Sequence, residues 1–268
     1  MRAVGIITGS GTYALPGFEG AEPVSVTTPF GEVPVTRGSY DGAEALHVSR
    51  HGPGHIRLSN HVSHRANIWA LKELGAIAVI GCTACGAVDP TLELGELVVF
   101  DDLHFISNRL PDGTLATFFS EPGDRLRGHW IIDRGPYSDG VRGAVLASAS
   151  DAGHPVRDSG TYGHVDGPRF NTPTEIAQLA ACGVSAVSQT GGPETVLCGE
   201  LELPFSLVGF VSDHANQVKP GEPTPVSKLI ELMGRSATVF ADVLRGAIAR
   251  LAAEPPEPVG SVYRFDQG

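Results

Sequence analysis

The sequence is poor in the features that mark secreted, membrane-embedded or nucleic-acid-binding chains. Its 268 residues hold four cysteines, Cys82, Cys85, Cys182 and Cys198, too few to brace a chain of this size with a disulfide framework. The lone Cys82-x-x-Cys85 has no second pair to complete a structural zinc site. Cys82 closes an apolar run, so buried thiols fit the pattern better than a redox pair. No long Lys/Arg run is present and the formal net charge is −11, which argues against nucleic acid and anionic membrane as partners. No apolar stretch reaches the length of a membrane span. The N-terminal MRAVGIITGSG carries one basic residue and a short apolar run, without the length or cleavage pattern of a secretory signal. A reduced, cytoplasmic setting is the expectation.

What is there reads as an ordinary globular chain, 41% hydrophobic and 18% charged. The 34 glycines and 20 prolines imply many shaped loops, the usual carriers of binding sites. β-branched apolar runs followed by turn residues predict buried strands at residues 3–8, 45–49, 76–82, 97–100, 185–189 and 205–211. Helical patterns lie between them at 61–74, 172–182, 193–200 and 226–252. Thr172-x-x-Glu175 has the form of a capping box. Strands alternating with helices predict an α/β layered fold. Residues 1–252 read as one domain, and residues 253–268, opening on Glu254-Pro255-Pro256-Glu257-Pro258, as an extended C-terminal tail. The polar, Gly/Pro-rich segment 104–127 is expected to be a mobile loop.

In such folds ligands gather where strands end, and the strand ends here carry Ser10, Thr83, Thr190 and Asp213. Gly9-Ser10-Gly11 is either a tight turn or a close backbone approach to an anion with a hydroxyl donor added. Arg50-His51 offers a planar fork for phosphate oxygens plus a further donor from His51, or is a surface arginine beside a loop histidine. Thr190 is a helix cap or an anion donor, and taken alone capping is the better reading. Phe170 is core or a stacking platform for a flat heterocycle. Asp213 is a cap, a salt-bridge partner or a substrate acceptor. His51 and His55 have the spacing of a helical metal pair, but Gly52-Pro53-Gly54 between them makes a helix improbable, and a metal is not expected.

Taken together, GIITGSG, TPFGEVPV, SRHGPGH, ANIWALKELGA, TACGAVDP, DGPRFNTPTE and QTGGPETVL, in this order from about residue 5 to about residue 249, resemble the methylthioadenosine phosphorylase branch of the trimeric purine-nucleoside phosphorylases. The resemblance implies a sandwich with a mixed, partly barrel-like central sheet flanked by helices, assembled as a homotrimer with sites at subunit boundaries. It implies phosphorolysis of a purine nucleoside, with inorganic phosphate as co-substrate and neither metal nor organic cofactor. By matching position, Ser10, Arg50, His51, Thr83, Ala84 and Thr190 resemble the phosphate site, and Phe170 the base-stacking aromatic. His55 matches a histidine at the ribose end and Asp213 the residue that contacts purine N7, so the chemistry falls to these two. Asn171 stands where relatives vary with base preference. Gln189 stands where the family has a methionine beside the ribose, and Ala215 where adenine-specific members carry a second aspartate. Val226 and Leu229 fall at the apolar positions of the 5′ pocket. An aspartate facing N7 favours a 6-amino base, and an apolar 5′ pocket a 5′-methylthio group, so 5′-methylthioadenosine or a 5′-modified analogue is the expected substrate. A 6-oxopurine nucleoside such as 5′-methylthioinosine or inosine, cleavage by water, and a non-catalytic nucleoside-binding protein are the alternatives.

Overall fold

The computed structural model describes residues 2–122, 127–221 and 224–265. Strand β1 (Ala3–Thr8) is buried along its whole length, and each such Val or Ile contributes about 1.5–3 kcal/mol of burial. A hairpin of β2 (Glu19–Thr28) and β3 (Gly31–Tyr40) follows, then β4 (Ala43–Ser49). Helix α1 (His64–Glu73) returns the chain to β5 (Ala76–Ala87). Next come β6 (Leu97–Val99), β7 (Asp102–His104) and β8 (Gly128–Ile131), helix α2 (Asp139–Asp151), and strands β9 (Val156–Arg157) and β10 (Thr161–His164). Helix α3 (Pro173–Ala181), β11 (Val184–Ser188), α4 (Gly191–Glu200), β12 (Phe205–His214), α5 (Val226–Ala253) and β13 (Ser261–Arg264) complete the order.

Eleven of these strands form one mixed sheet. Its centre is β5, which pairs in parallel with β1 and β12 and, at its far end, antiparallel with β11. Strands β6 and β7 are one path broken at Phe100-Asp101, β6 pairing with β12 and β7 with β10. Because β10 pairs with β11, the pairing runs β5–β12–β6/β7–β10–β11 and back to β5. That circuit is the partly barrel-like element the resemblance implies, with Phe100 and Tyr162 packed edge to face, centroids 5.2 Å apart. Alternate residues of β1, β5 and β12 face two helical layers. Val79 and Leu207 pack with Ile68 and Leu71 of α1 and Leu197 of α4. Ile6, Ile80 and Phe210 pack with Val145 of α2 and Phe240 and Leu244 of α5.

The capping box of α3 is formed, Thr172 accepting from the Glu175 N–H at 3.3 Å and Glu175 from the Thr172 N–H at 2.8 Å. Two expectations are corrected. The segment beyond α5 is more than an extended exit: β13 pairs antiparallel with β8, and Trp130 of β8 lies so close to Gly199 that no side chain would fit there. Within the expected mobile loop, residues 123–126 lie outside the described residues. Of the rest, Leu110, Ala116 and Phe118 are buried. Glu200 accepts from the Thr117 hydroxyl and the Phe118 N–H, at 2.7 and 2.6 Å, and Arg65 donates to the Thr117 and Leu115 carbonyls. Among the described residues no helix is long and apolar enough to cross a membrane.

Candidate active site

The ends of β1, β4, β5, β11 and β12, the segment after β10 and the first turns of α5 surround a cavity of about 280 Å³. One half is rich in small donors. Gly9 and Ser10 enter it from β1, His51 from beyond β4, Thr83 and Ala84 from β5, and Thr190 from the start of α4. The turn after β1 is fixed from behind. The Thr8 hydroxyl donates to the Thr12 carbonyl at 2.6 Å and so takes its 2.7 Å bond from His47 as an acceptor. Gly11, at φ +84°, packs on the Met233 carbonyl, where a Cβ would stand 2.4 Å from the oxygen. The turn therefore has to be glycine on two counts.

Thr190 does not cap α4; its side chain makes no capping bond. The N–H groups of Thr190 and Gly191 point at the Tyr162 hydroxyl, and that of Gly192 at His164 Nδ1. With the helix start satisfied in this way, the Thr190 side chain belongs to the cavity wall. Ser188, signalled in the sequence only by its adjacency to Gln189, bonds Thr83 at 2.9 Å and lines the same half. Cys82 and Cys85 are buried free thiols, and burial pushes Cys82 up to about 12, so neither is a nucleophile or ligand.

Arg50 is the main correction. It does not present its fork to the cavity. It is 1% exposed, and Nε and Nη2 donate to the two carboxylate oxygens of Glu194 at 2.5 and 2.6 Å while Nη1 donates to the Cys82 carbonyl. Glu194 is fully buried on α4. Burial disfavours both charges, but mutual attraction keeps Glu194 below the usual carboxylate range and Arg50 ionised. Arg50 thus forms a neutralised floor under Gly9, whose added Cβ would meet Nη1 at 3.0 Å. His51 is corrected in part. Its Nδ1 bonds the Arg57 carbonyl at 2.8 Å, and a carbonyl only accepts, so Nδ1 carries the proton. Burial lowers the ring to about 4; neutral His51 therefore offers Nε2 as an acceptor, not a donor.

The other half is built on β12. The register between β5 and β12 slips by one residue before Asp213, which pairs with Gly86. The resulting bulge turns two successive side chains, Ser212 and Asp213, into the cavity. Ser212 donates to Asp213 Oδ1 at 2.9 Å. Burial raises the Asp213 carboxyl, against the lowering effects of Ser212 and His214. Ala215 lines this wall without a polar group. Phe170 and Asn171 face it from beyond β10; Phe170 is 69% exposed at the mouth. The Asn171 backbone carbonyl takes a 2.6 Å bond from Asn216, and its amide nitrogen a 3.3 Å bond to Glu175. Gln189 is tied at both ends, accepting from Ser59 and donating to the Arg169 carbonyl.

Between the halves stand His55, Leu58, Leu229 and Met233. His55, at φ +57°, bonds Tyr13 at 3.1 Å and stacks on His51, centroids 4.2 Å apart and planes 11° from parallel. Lone pairs in two parallel planes do not converge on one point, so the pair cannot chelate an ion. Leu229 lines the cavity as expected, whereas Val226 does not: it is 72% exposed at the start of α5. Met233, one helical turn beyond Leu229, lines it instead. His214 also reaches the wall, with Nε2 on the Leu92 carbonyl.

A corner of small neutral donors, a carboxyl raised by burial and an exposed aromatic thus lie around one cavity at the strand ends of a mixed α/β sheet. Comparison with known proteins gives the family: residues 3–249 match the Phosphorylase superfamily, and the chain belongs to it. It is 32% identical over 257 residues to the 6-oxopurine nucleoside phosphorylase of Pyrococcus furiosus, covering 95% of each chain. It is 34% identical over 255 residues to the S-methyl-5′-thioadenosine phosphorylase of Mycobacterium tuberculosis, covering 94% of this chain and 91% of that one. A variant of the adenosine/methylthioadenosine phosphorylase of Schistosoma mansoni, solved in complex with methylthioadenosine, superposes with a TM-score of 0.83 at 26% identity, over 95% of this chain and 93% of that chain.

Proposed function

We propose that the protein cleaves a purine nucleoside by phosphorolysis, with 5′-methylthioadenosine or a 5′-modified analogue as substrate. The observation that carries this is the half-buried Asp213 carboxyl, raised by burial, in the same cavity as the donor cluster of Ser10, Thr83, Ser188 and Thr190. Phosphate held by that cluster faces the anomeric carbon of a nucleoside whose base lies between Phe170 and Asp213. As the C1′–N9 bond breaks, its electron pair leaves with the purine and a phosphate oxygen bonds C1′. The Asp213 proton passes to or bridges N7, where negative charge grows. Monohydrogen phosphate can donate its own O–H to the His51 Nε2 lone pair. No oxidation state changes, so inorganic phosphate is the one co-substrate the chemistry requires, without metal or organic cofactor.

A protonated Asp213 donates to N7 with one oxygen and accepts from a 6-amino group with the other, which supports a 6-aminopurine. Leu229 and Met233 support an apolar 5′ substituent, since a 5′-hydroxyl among them would go unpaired. A second reading, a 6-oxopurine nucleoside, is favoured by Ala215, which adds no second carboxylate, and by the similarity to the Pyrococcus furiosus protein. Homotrimeric assembly belongs to the proposal: Ile56, Phe170 and Ile106 are exposed, apolar surface that a neighbouring subunit would cover.

The test is to incubate the protein with 5′-methylthioadenosine, 5′-methylthioinosine, adenosine and inosine, with and without phosphate, and to follow free base. Phosphate-dependent release, fastest from 5′-methylthioadenosine, is expected. Release independent of phosphate refutes phosphorolysis, and a preference for the 6-oxo pair selects the second reading.

A further inference from the structure

The side chain of Gln189 does something other than what its position beside the sugar suggests. Its amide orientation is fixed by chemistry: the Arg169 carbonyl can only accept, so Nε2 faces it, at 3.0 Å, and Oε1 faces the Ser59 hydroxyl, which donates to it at 2.8 Å. These partners belong to opposite walls of the cavity. Ser59 opens the short turn Ser59–His61, immediately after Leu58 and four residues after His55. Arg169 precedes Phe170 and Asn171. The backbone of the second wall is pressed onto this link: a Cβ on Gly167 would stand 1.9 Å from Gln189 Oε1 and 2.2 Å from Ser59 Oγ. Gly167 thus lets the loop lie directly on the Gln189–Ser59 hydrogen bond, and both ends of the amide are engaged by protein.

We propose that Gln189 is a positioning residue that clamps the Phe170–Asn171 wall to the His55–Leu58 wall, fixing the width of the nucleoside cleft, and that it does not read the sugar hydroxyls. The inference rests on the nucleoside reading of this cavity, and it deepens that reading by making the cleft width a property of this amide. A hydrogen bond from Gln189 to a ribose hydroxyl would discriminate ribonucleosides from their deoxy analogues; a clamp acts on both alike.

The experiment compares wild type with Gln189→Met, Gln189→Glu, Ser59→Ala and the Gln189→Met/Ser59→Ala double variant. Steady-state kinetics use 5′-methylthioadenosine, adenosine, 2′-deoxyadenosine and 3′-deoxyadenosine. Gln189→Met is expected to raise nucleoside KM roughly tenfold, the scale of two lost neutral hydrogen bonds, equally for ribo- and deoxynucleosides, with phosphate KM unchanged. Ser59→Ala is expected to raise it less, and the double variant no more than Gln189→Met alone, because both act through one link. Gln189→Glu supplies a signature that a merely structural role would not: the introduced carboxyl, while protonated, still donates to the Arg169 carbonyl, and once ionised it repels that carbonyl. Its nucleoside KM relative to wild type is therefore expected to climb with pH across the carboxyl's titration. Amide hydrogen exchange of residues 165–171 in the unliganded protein reads the clamp without any substrate, and faster exchange in Gln189→Met and Ser59→Ala is expected. A penalty confined to ribonucleosides, additive effects in the double variant, or unchanged exchange overturns the clamp. Faster exchange in a protein with no phosphorolytic activity upholds the clamp and overturns the functional reading instead.

Discussion

Removing the Glu194 carboxylate should damage the protein through its fold before its chemistry. Arg50 and Glu194 are both fully enclosed, and two short hydrogen bonds join them. In Glu194→Ala the guanidinium stays in the core with no counter-charge and two N–H groups without acceptors. Breaking one side of such a pair costs about 3–5 kcal/mol. Unfolding entropy of about 2.1 cal/mol/K per residue over 268 residues gives roughly 0.56 kcal/mol/K, so Tm should fall by about 5–9 °C. Thermal unfolding followed by circular dichroism at fixed protein concentration measures this. Glu194→Gln keeps one acceptor and should lose about half as much. Arg50→Met/Glu194→Leu, which removes both charges at similar volume, should be more stable than Glu194→Ala, because a buried pair hardly outweighs its own desolvation. A Tm change below about 2 °C in Glu194→Ala, or a double variant whose loss is the sum of the single losses, would refute the view of Arg50 as a neutralised floor.

Asp213→Asn should shift the ratio of kcat/KM for 5′-methylthioadenosine over 5′-methylthioinosine toward the oxo base, since an amide donates where a 6-oxo group accepts; an unmoved ratio removes Asp213 from base selection. Thr190→Val should raise phosphate KM about 10- to 100-fold, the value of a hydrogen bond to a charged group. It should leave Tm nearly unchanged, because Tyr162 and His164 satisfy the helix start. Stability should fall on acidification from about pH 6.5. Burial lowers His47 and His51 to about 4 and His164 to about 3, so the unfolded chain takes up protons that the native one refuses. For His47 the interval from 6.5 to about 4 corresponds to roughly 3 kcal/mol. Urea-unfolding free energies that stay flat from about pH 7 to about pH 4.5 would contradict this.

Strands that run through the core are legible because both faces are buried: β1 and β12 read as continuous apolar runs, and α3 announces its cap. The β2–β3 hairpin is not, since Glu19–Val24 is largely solvent-facing and shows no apolar run. Helix α2 escapes for a different reason: its buried face is made of Val141, Ala144, Val145, Ser148 and Ala149, too small to stand out. Segment 104–127 looks loose by composition, but its anchor, Glu200, lies more than 70 residues away. The same distance in sequence hides the partner of Arg50. An arginine beside a histidine in a loop reads as an exposed anion clamp until Glu194, 144 residues on, is seen to claim the fork. Ser188 and Ser212 are signalled only by adjacency to Gln189 and Asp213; a bulge that brings neighbours to one face breaks the alternation by which strand residues are sorted.

That bulge also bears on how such a scaffold diversifies. In straight register Ser212 would oppose Gly86 and Asp213 would fall on the reverse face of β12. Gain or loss of one residue at this point therefore exchanges the side chain presented to the cavity, while the donor corner, carried by β1, β5 and α4, is left as it was. The two walls of the cavity thus rest on separate segments, and a single insertion in β12 would alter one without touching the other.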